Sequence, residues 1–480
     1  MYRSSLALLT DLYELTMAYS YWRQGLAESR AVFHLFFREN PFGGGYAIAC
    51  GLASVIEFLR EFRFRKDDLE YLSGLSGNDE KPLFAPDFLA YLSDLKFTCN
   101  VDAMVEGTVA FPHEPLVRVD GPLLQAQLVE TALLNVINFQ TLVATKAARM
   151  CSVASGDPVL EFGLRRAQGI DGGLAASRAA YVGGCAATSN VLAGKVYSIP
   201  VRGTHAHSWV MVFDDELESF EAYAEAMPNN CIFLVDTYDT IAGVHKAVKV
   251  GKKLREQGYE MVGIRLDSGD LARLSIGARN ILDQEGFPEA RIVASNDLDE
   301  YEIAELKRRG SPIAIWGVGT KLATAYEQPA LGGVYKLAAL WEDPGWKYKI
   351  KLSNEPIKVS NPGVHQVRRY QSAGQFHADM IYNLADDVSG ARTLVPLDAN
   401  ASPLSFAEDS SFVELLQPVF RDGTAVYSPP PLAASRARTR EQLGALPPDI
   451  IRVRGSGRYP VGLDQSLYDL KQQLLARRDD

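Results

Sequence analysis

Short apolar runs that end in small, acidic or hydroxyl residues recur along the middle of this chain, and they constrain its fold more than any other feature. The first is SIPVRGTHAHSWV, residues 198–210, and the others are LVDTYDT, GIRLDSGD, IVASND and IWGVGT. Strands of a parallel α/β barrel end in this way, because the residues beyond their carboxyl ends line one rim. The repetition therefore predicts one site assembled from several strand ends.

The runs alternate with helical segments, which predicts a parallel sheet or barrel of about seven or eight strands. The predicted strands are Val159–Phe162, Val196–Val201, Ile232–Val235, Met261–Leu266, Arg291–Ala294, Ala314–Val318 and Val334–Leu340. We expect an α/β fold, in which an irregular parallel barrel is accompanied by an N-terminal α+β domain and a small C-terminal subdomain. The expected ranges are 1–121, 122–340 and 341–480.

Composition narrows the classes of function. The chain has 480 residues, 47% hydrophobic and 22% charged, as in soluble proteins of more than one domain. Its net charge of −10 argues against general binding to nucleic acids or anionic membranes. Five scattered cysteines without CxxC spacing predict reduced thiols and no structural zinc. With no secretory or membrane-spanning run, we predict a soluble, cytoplasmic protein.

Two acidic residues follow apolar strands directly, Asp236 in LVDTYDT and Asp267 in IRLDSGD. Carboxylates at neighbouring strand ends suit the hydroxyls of a sugar or a hydrated magnesium ion. The alternative for Asp267 is a helix N-cap, which Asp270 offers equally. Arg265 would suit an anionic ligand.

Small residues at two later strand ends, Ser295–Asp297 and Gly317–Thr320, predict backbone N–H groups free to cradle a phosphate. Two adjacent arginines, Arg165 and Arg166, follow an earlier strand in EFGLRRAQ, where either could bind a phosphate with two parallel hydrogen bonds or form a surface salt bridge. His207 is flanked by hydroxyl residues at a strand end, which favours function over a core role. The seven histidines lack metal-ligand spacing, so the histidines predict no metal site and the metal ligands stay unassigned.

The ordered motifs LLTDLYELTM, FFRENPFGGGYAIACGL, EFGLRRAQG, GTHAHS, VDTYDT, RLDSGDL, SNDLDE, GVGT and LGGVYKL resemble those of the nicotinate phosphoribosyltransferase family over nearly the whole chain. The resemblance implies a homodimeric enzyme of NAD biosynthesis that joins nicotinate to phosphoribosyl pyrophosphate (PRPP). The products would be nicotinate mononucleotide and pyrophosphate, with ATP as co-substrate, Mg²⁺ as cofactor and a phosphohistidine that couples ATP hydrolysis to synthesis.

The resemblance also implies roles for individual residues. Catalytic roles fall to His207, Asp236, Asp267 and Arg265, with the phosphoryl group on His207, which precedes Ser208 in AHS. Phe162 would stack on the pyridine ring, with Tyr13 of the partner subunit on its other face, although Tyr13 by itself suggests a half-buried aromatic. The other implied substrate-binding residues are Arg165, Thr204, Ser208, Ser295, Asn296, Gly317, Gly319 and Thr320.

Substrate choice rests on ATSNVLAG, where the related nicotinamide enzyme carries an aspartate that binds the amide. Ser189 and Asn190 stand there, and the absence of an acid favours nicotinate, whose carboxylate an acid would repel. The alternatives are a nicotinamide or quinolinate phosphoribosyltransferase, or a non-catalytic protein that binds pyridine nucleotides.

Overall fold

The computed structural model describes residues 5–477 except 388, 399 and 456. Two compact units make up the chain. Unit 1 contains residues 1–142, 330–431 and 440–480, and unit 2 contains residues 143–329 and 432–439. These bounds differ from the three predicted ranges, because residues 122–142 and 330–340 and most of the C-terminal range cluster with the N-terminal residues.

The strands of the described residues are β1 Arg30–Phe36, β2 Ala47–Ile48, β3 Asn100–Met104, β4 Val109–Ala110, β5 Val117–Pro122, β6 Val159–Glu161, β7 Ala187–Thr188, β8 Ile232–Leu234, β9 Gly263–Leu266, β10 Arg291–Ser295, β11 Ile315–Val318, β12 Val334–Glu342, β13 Gly345–Tyr348, β14 His365–Ser372, β15 Gln375–Asn383, β16 Arg392–Pro396, β17 Leu404–Phe406, β18 Phe412–Glu414, β19 Leu416–Arg421, β20 Thr424–Ala425 and β21 Val461–Asp464.

The α-helices are α1 Leu12–Arg23, α2 Leu52–Arg60, α3 Lys66–Ser73, α4 Pro86–Asp94, α5 Leu123–Leu128, α6 Glu130–Ala154, α7 Gly169–Val182, α8 Val191–Tyr197, α9 His207–Met211, α10 Glu216–Ala226, α11 Thr240–Glu256, α12 Leu271–Gln284, α13 Glu300–Arg308, α14 Thr320–Ala323, α15 Leu432–Gly444, α16 Pro448–Ile451 and α17 Gln465–Ala476. Short 3₁₀ helices are Pro41–Gly43, Leu164–Arg166, Pro228–Asn230 and Pro356–Lys358.

Unit 2 is built on a parallel sheet in the order β7-β6-β11-β10-β9-β8, counted over the described residues. Every neighbouring pair runs parallel. Helices α11, α12 and α13 follow β8, β9 and β10, so the predicted strand–helix alternation is confirmed. The strands are fully buried at Phe233, Ile264, Ile292 and Trp316, as expected for a parallel sheet covered on both faces.

The irregularity of the barrel lies between its outer strands β7 and β8. Val201 forms a single parallel bridge to Thr188 of β7. A few residues on, His205 Nε2 accepts a hydrogen bond from Leu234 N of β8 at 3.3 Å. Residues 201–205 therefore occupy the place where a regular barrel would have another strand.

Two predicted barrel strands were wrong. Val196–Val201 was expected to be a strand, but α8, whose start Asn190 caps by accepting from Ala193 N at 3.1 Å, runs to Tyr197. Among the described residues of this run, only Val201 forms a β-bridge. Val334–Leu340 is a strand of the other unit, where β12 pairs antiparallel with β1. An apolar run shows only that a segment is buried, and long-range pairing decides in which sheet.

Unit 1 contains two larger sheets among its described residues, in the orders β13-β12-β1-β5-β3-β19-β20 and β17-β16-β21-β15-β14-β18. Strand β19, from the C-terminal part of the chain, pairs antiparallel with β3 from the N-terminal part. Shared hydrogen bonding of this kind is why the C-terminal range forms no unit of its own.

The stretch Leu123–Ala154, which contains α5 and α6, is long and apolar enough to span a membrane. Of its most apolar window, 61% is buried inside the protein. This degree of burial is what a core helix has.

Candidate active site

Arg265, on β9, connects several segments at the carboxyl edge of the parallel sheet. Its Nε donates to Ser295 Oγ at 2.6 Å, its Nη1 to Thr204 Oγ1 at 3.1 Å and its Nη2 to Asp267 Oδ1 at 2.9 Å. Nη1 also reaches the carbonyl oxygen of His205 at 3.4 Å. The guanidinium is therefore held in one orientation by residues that are far apart in the sequence.

Asp236 and Asp267 meet beyond the ends of β8 and β9. Oδ2 of Asp236 accepts from Asp267 N and from Ser268 Oγ, both at 2.7 Å. Its Oδ1 is buried and has no hydrogen-bond partner among the described residues. A buried carboxylate oxygen without a donor is costly unless a ligand supplies one, so it marks where a ligand group or cation would sit.

Neighbouring residues stabilise the ionised form of Asp267. Burial would raise its pKa, but hydrogen bonds from Ser295 and Arg265 outweigh burial and keep that pKa below its ordinary value. Asp267 is therefore ionised at neutral pH. The helix-cap alternative applies to Asp270, whose Oδ1 accepts from Arg273 N at the start of α12.

His207 is the first residue of α9, and its side chain is 39% exposed. Its Nδ1 lies 3.1 Å from Thr237 Oγ1, and its Nε2 lies 3.7 Å from Asp267 Oδ2. The ring thus has a hydroxyl within hydrogen-bond distance of one nitrogen and a carboxylate near the other, at the edge of the sheet.

His205 lies in the core instead. It is 8% exposed and packs against Tyr223 with ring centroids 4.9 Å apart, while its Nε2 accepts from Leu234 N. Burial is the largest effect on its pKa, which falls to about 4, so the ring is neutral at physiological pH. His205 is a structural histidine.

Phe162 follows β6 and lies over Gly317 of β11. A Cβ at Gly317 would come within 2.9 Å of the Phe162 ring. Below Phe162, buried Glu161 accepts from Ser177 Oγ at 2.8 Å and from Thr188 Oγ1 at 2.6 Å. Phe162, whose aromatic side chain is partly exposed, therefore follows a buried residue that hydrogen bonds hold in place.

The remaining predicted residues of unit 2 lie at the same edge, and within the described part of the chain no hydrogen bond joins their side chains to the Arg265 network. Gly319 precedes α14 and Thr320 begins it. Asn296 follows β10 and is exposed, as is Ser208 in α9. Arg165 is exposed in the 3₁₀ helix after β6, so it is available to an anion.

Tyr13 lies in unit 1, on α1, and is 48% exposed. It is therefore an available surface aromatic. Its neighbour Glu14 is fully buried and accepts from Gln127 Nε2 at 2.8 Å.

Sequence reasoning missed three residues of the site. Thr237 orients His207, Ser268 donates to Asp236, and Glu161 supports the loop under Phe162. Glu161 ends a strand, and Thr237 and Ser268 each follow the acid that comes after an apolar run, so position near a strand end was the available signal. In ATSNVLAG, Asn190 is 1% exposed and occupied in capping α8, whereas Ser189 is partly exposed.

The site offers limited ligation for a metal. Within the described residues, no group of three or more His, Cys, Asp or Glu side chains could hold a metal ion. The unpartnered Asp236 Oδ1 is a hard oxygen donor of the kind that Mg²⁺ prefers, and Mg²⁺ commonly takes one or two carboxylates with substrate phosphates and water. The residues therefore fit a substrate-borne Mg²⁺.

A parallel sheet whose carboxyl edge holds two carboxylates, a fixed arginine and an oriented histidine defines an α/β enzyme that acts at that edge. Family models match three successive regions of the chain. They are the nicotinate phosphoribosyltransferase (NAPRTase) N-terminal domain over residues 8–138, the NAPRTase family over 159–347 and the NAPRTase C-terminal domain over 365–471.

Individual relatives agree with the models over nearly full length. A nicotinate phosphoribosyltransferase of Bacillus subtilis (strain 168) is 44% identical over 98% of this chain and 95% of its own. One from Mycobacterium tuberculosis (strain ATCC 25618 / H37Rv) is 40% identical over 96% and 92%. The crystal structure of human nicotinic acid phosphoribosyltransferase has a TM-score of 0.85 at 35% identity and covers 97% of this chain and 100% of that chain. The chain belongs to the nicotinate phosphoribosyltransferase family.

Proposed function

We propose that this protein joins nicotinate to PRPP, giving nicotinate mononucleotide and pyrophosphate in NAD salvage, and that ATP assists through a phosphohistidine at His207. The observation that carries the proposal is the single network of Asp236, Asp267, Arg265 and His207 at the sheet edge. Family membership supports the choice of substrates.

The network suits the charges of the reaction. When the C1′–pyrophosphate bond breaks, positive charge develops on the ribose and negative charge on the leaving group. Preorganised carboxylates and cations stabilise such a transition state, because they need no reorganisation. Asp236 and Asp267 both lie at this edge, and Arg265 is fixed beside Asp267, so their proposed partners are the ribose and a phosphate.

Phe162 is proposed to hold the pyridine ring. Its ring lies over Gly317, where the absence of a side chain leaves room for close packing. Exposed Arg165, three residues on, would pair with a phosphate or with the nicotinate carboxylate. The glycine and hydroxyl residues after β10 and β11 would receive the 5′-phosphate.

His207 is proposed as the phosphoryl acceptor. An unprotonated imidazole nitrogen would attack the γ-phosphorus of ATP, a P–N bond would form and ADP would leave; water would later hydrolyse the P–N bond and release phosphate. While attached, the phosphoryl group adds negative charge beside Arg265. ATP would thus improve PRPP use without being chemically required.

Mg²⁺, when bound with PRPP, would neutralise charge on the pyrophosphate. Asp236, through its unpartnered Oδ1, is the residue that would hold it. We further propose a cytoplasmic homodimer, in which Tyr13 of one subunit serves the site of the other.

The phosphohistidine assignment is tested with His207→Ala and the control His205→Gln, which keeps an acceptor for Leu234 N. We expect His207→Ala to lose ATP hydrolysis, ATP stimulation and acid-labile phosphohistidine while retaining slow ATP-independent synthesis. His205→Gln should retain all of them. The measurements are phosphate release and nicotinate mononucleotide formation, with nicotinamide and quinolinate as alternative substrates. If only His205→Gln lost the phosphohistidine, the assignment would be wrong, and preferential use of nicotinamide or quinolinate would overturn the proposed substrate.

A further inference from the structure

Apart from the active site, a cavity of about 950 Å³ lies entirely within unit 1. Its walls come from the loop after β1, the turn after β4, the segment after β16, the segment before β21 and α17. None of the residues assigned above to the active site lines it. Its volume is that of a site for a ligand of nucleotide size.

Two cations line the cavity without carboxylate partners. Lys471, on α17, is partly buried, and its Nζ donates to the amide oxygen of Asn361 at 2.8 Å. Among the described residues, neither Lys471 nor partly buried Arg38 has a carboxylate within 4.0 Å. Burial lowers the pKa of Lys471, which means that its charge is incompletely solvated.

Other buried arginines of unit 1 show the usual arrangement. Arg118 pairs with Asp102 at 2.8 Å, and Arg369 pairs with Asp379 in the core. Burying a cation without such a partner is expensive, so cations are commonly left unpaired where a ligand completes them. Two acids line the cavity. Asp398 is already bound to Arg458 at 2.7 Å, and among the described residues Glu39 forms no ion pair with Lys471 or Arg38.

His113 lines the same cavity as these cations. Burial first, and then the charges of Lys471 and Arg38, lower its pKa to about 4, so the imidazole is neutral at physiological pH. A neutral ring offers a hydrogen-bond donor as well as an acceptor. The backbone of His113 is left-handed, with φ of 70°, and its N–H donates to Phe37 O at 2.7 Å, which fixes the main chain at the cavity wall.

Part of the cavity wall is apolar, formed by residues such as Pro396, Leu404 and Pro460. We propose that this cavity binds an organic phosphate of nucleotide size, with the phosphate at Lys471, His113 and Arg38 and the organic group on the apolar wall. The proposal does not rest on the proposed enzymatic function, because it concerns a different unit and different residues.

The first test is affinity labelling with pyridoxal 5′-phosphate, an aromatic phosphate with an aldehyde. The unprotonated Nζ attacks the aldehyde carbon, a C=N bond forms and water leaves; hydride from borohydride then reduces the C=N bond to a stable amine. Peptide mass spectrometry should show Lys471 labelled about tenfold faster than Lys66, whose side chain is 91% exposed. Pyridoxal, which lacks the phosphate, should not show this preference, and AMP should suppress it. Equal labelling of the two lysines would overturn the proposal.

The second test is calorimetric titration with AMP and, separately, with inorganic phosphate. Lys471→Met keeps the length of the side chain and removes its charge, and His113→Asn tolerates the left-handed backbone. We expect each substitution to weaken the affinity of one class of AMP-binding sites at least tenfold, while nicotinate mononucleotide synthesis stays at the wild-type rate. Lys66→Met is the control. If the protein bound inorganic phosphate but not AMP, the proposal that the ligand carries an organic group would be wrong. If both variants folded and gave unchanged titrations, the proposed location of the site would be wrong.

Discussion

At the residue scale, two histidines only two positions apart have opposite environments. His205 is buried against aromatic rings, whereas His207 lies between a hydroxyl and a carboxylate at the sheet edge. The reason is that a backbone N–H of β8 donates a hydrogen bond to the His205 ring, whereas His207 begins α9, which turns its side chain outward. Spacing in the sequence does not distinguish such neighbours.

Asp236 gives a prediction at the same scale. Asp236→Asn keeps an oxygen that can accept from Asp267 N and Ser268 Oγ but removes the charge. We expect turnover to fall on the order of 10²-fold or more, because charge stabilisation in the transition state is lost, while the melting temperature changes little. The control is Asp239→Asn, since Asp239 caps α11 and Asn caps equally well. Near-normal turnover of Asp236→Asn would make this carboxylate a structural group.

Glu14 gives a pH prediction. Burial above all, and the charge of Glu130 in addition, raise its pKa from 4.5 to about 7, against an opposing hydrogen bond from Gln127. The folded state therefore holds this proton more tightly than the unfolded state, and the contribution of Glu14 to stability falls as pH rises from 4.5 to 7. Glu14→Gln mimics the protonated form, so its melting temperature relative to wild type should be higher at pH 8 than at pH 5.

Exposed Glu70→Gln serves as the control for that measurement, because its side chain is 67% exposed. Its melting temperature should follow the wild type at both pH values. A Glu14→Gln protein with the same pH dependence as the wild type would show that Glu14 is ionised throughout the range.

At the scale of elements, the contact between the end of β6 and β11 sets the position of Phe162. A Cβ at position 317 would lie 2.9 Å from the Phe162 ring and 3.2 Å from Ser295 Cβ. Gly317→Ala should therefore displace the ring, cost about 1–3 kcal/mol of stability and raise KM for nicotinate more than it lowers kcat. The measurements are steady-state kinetics and thermal unfolding.

Gly277→Ala, in α12, is the matched control for that substitution. Its added Cβ would meet only Ile241 at an ordinary 3.5 Å, and alanine favours a helix interior over glycine. We expect unchanged kinetics and slightly higher stability. An unchanged KM in Gly317→Ala would show that Phe162 does not hold nicotinate.

At the scale of the whole molecule, the proposed shared site makes a prediction about mixed dimers. Tyr13 belongs to unit 1 and Asp236 to unit 2. If each site takes these residues from different subunits, mixing inactive Tyr13→Ala and Asp236→Asn subunits should restore about a quarter of wild-type activity, because half the dimers are mixed and each has one intact site. Activity is measured after denaturation and reassembly, with differently tagged subunits to verify mixing.

Mixing Asp236→Asn with Asp267→Asn is the control, since these residues share one network and no mixed dimer would have an intact site. It should stay inactive. Verified mixed dimers of the first pair without activity would contradict the shared site.

The sequence by itself determined the parallel α/β unit and most of its active edge. Alternating apolar and helical segments specify strands and helices locally, and parallel strands joined through helices necessarily bring their carboxyl ends to one edge. Asp236, Asp267 and Arg265 were therefore expected together before any distance was known, and the structure joins them in one network. The ordered motifs along the chain already resembled those of the family to which the comparisons assign it.

Only the tertiary structure decided which sheet takes β12, which histidine is buried, and that Glu14 lies in the core. It alone brought Lys471 and His113 to one cavity from opposite ends of the chain. Strand pairing, burial and the charged groups around a residue depend on contacts between residues far apart in sequence. Local periodicity is the same whether or not those contacts form, so it carries no information about them.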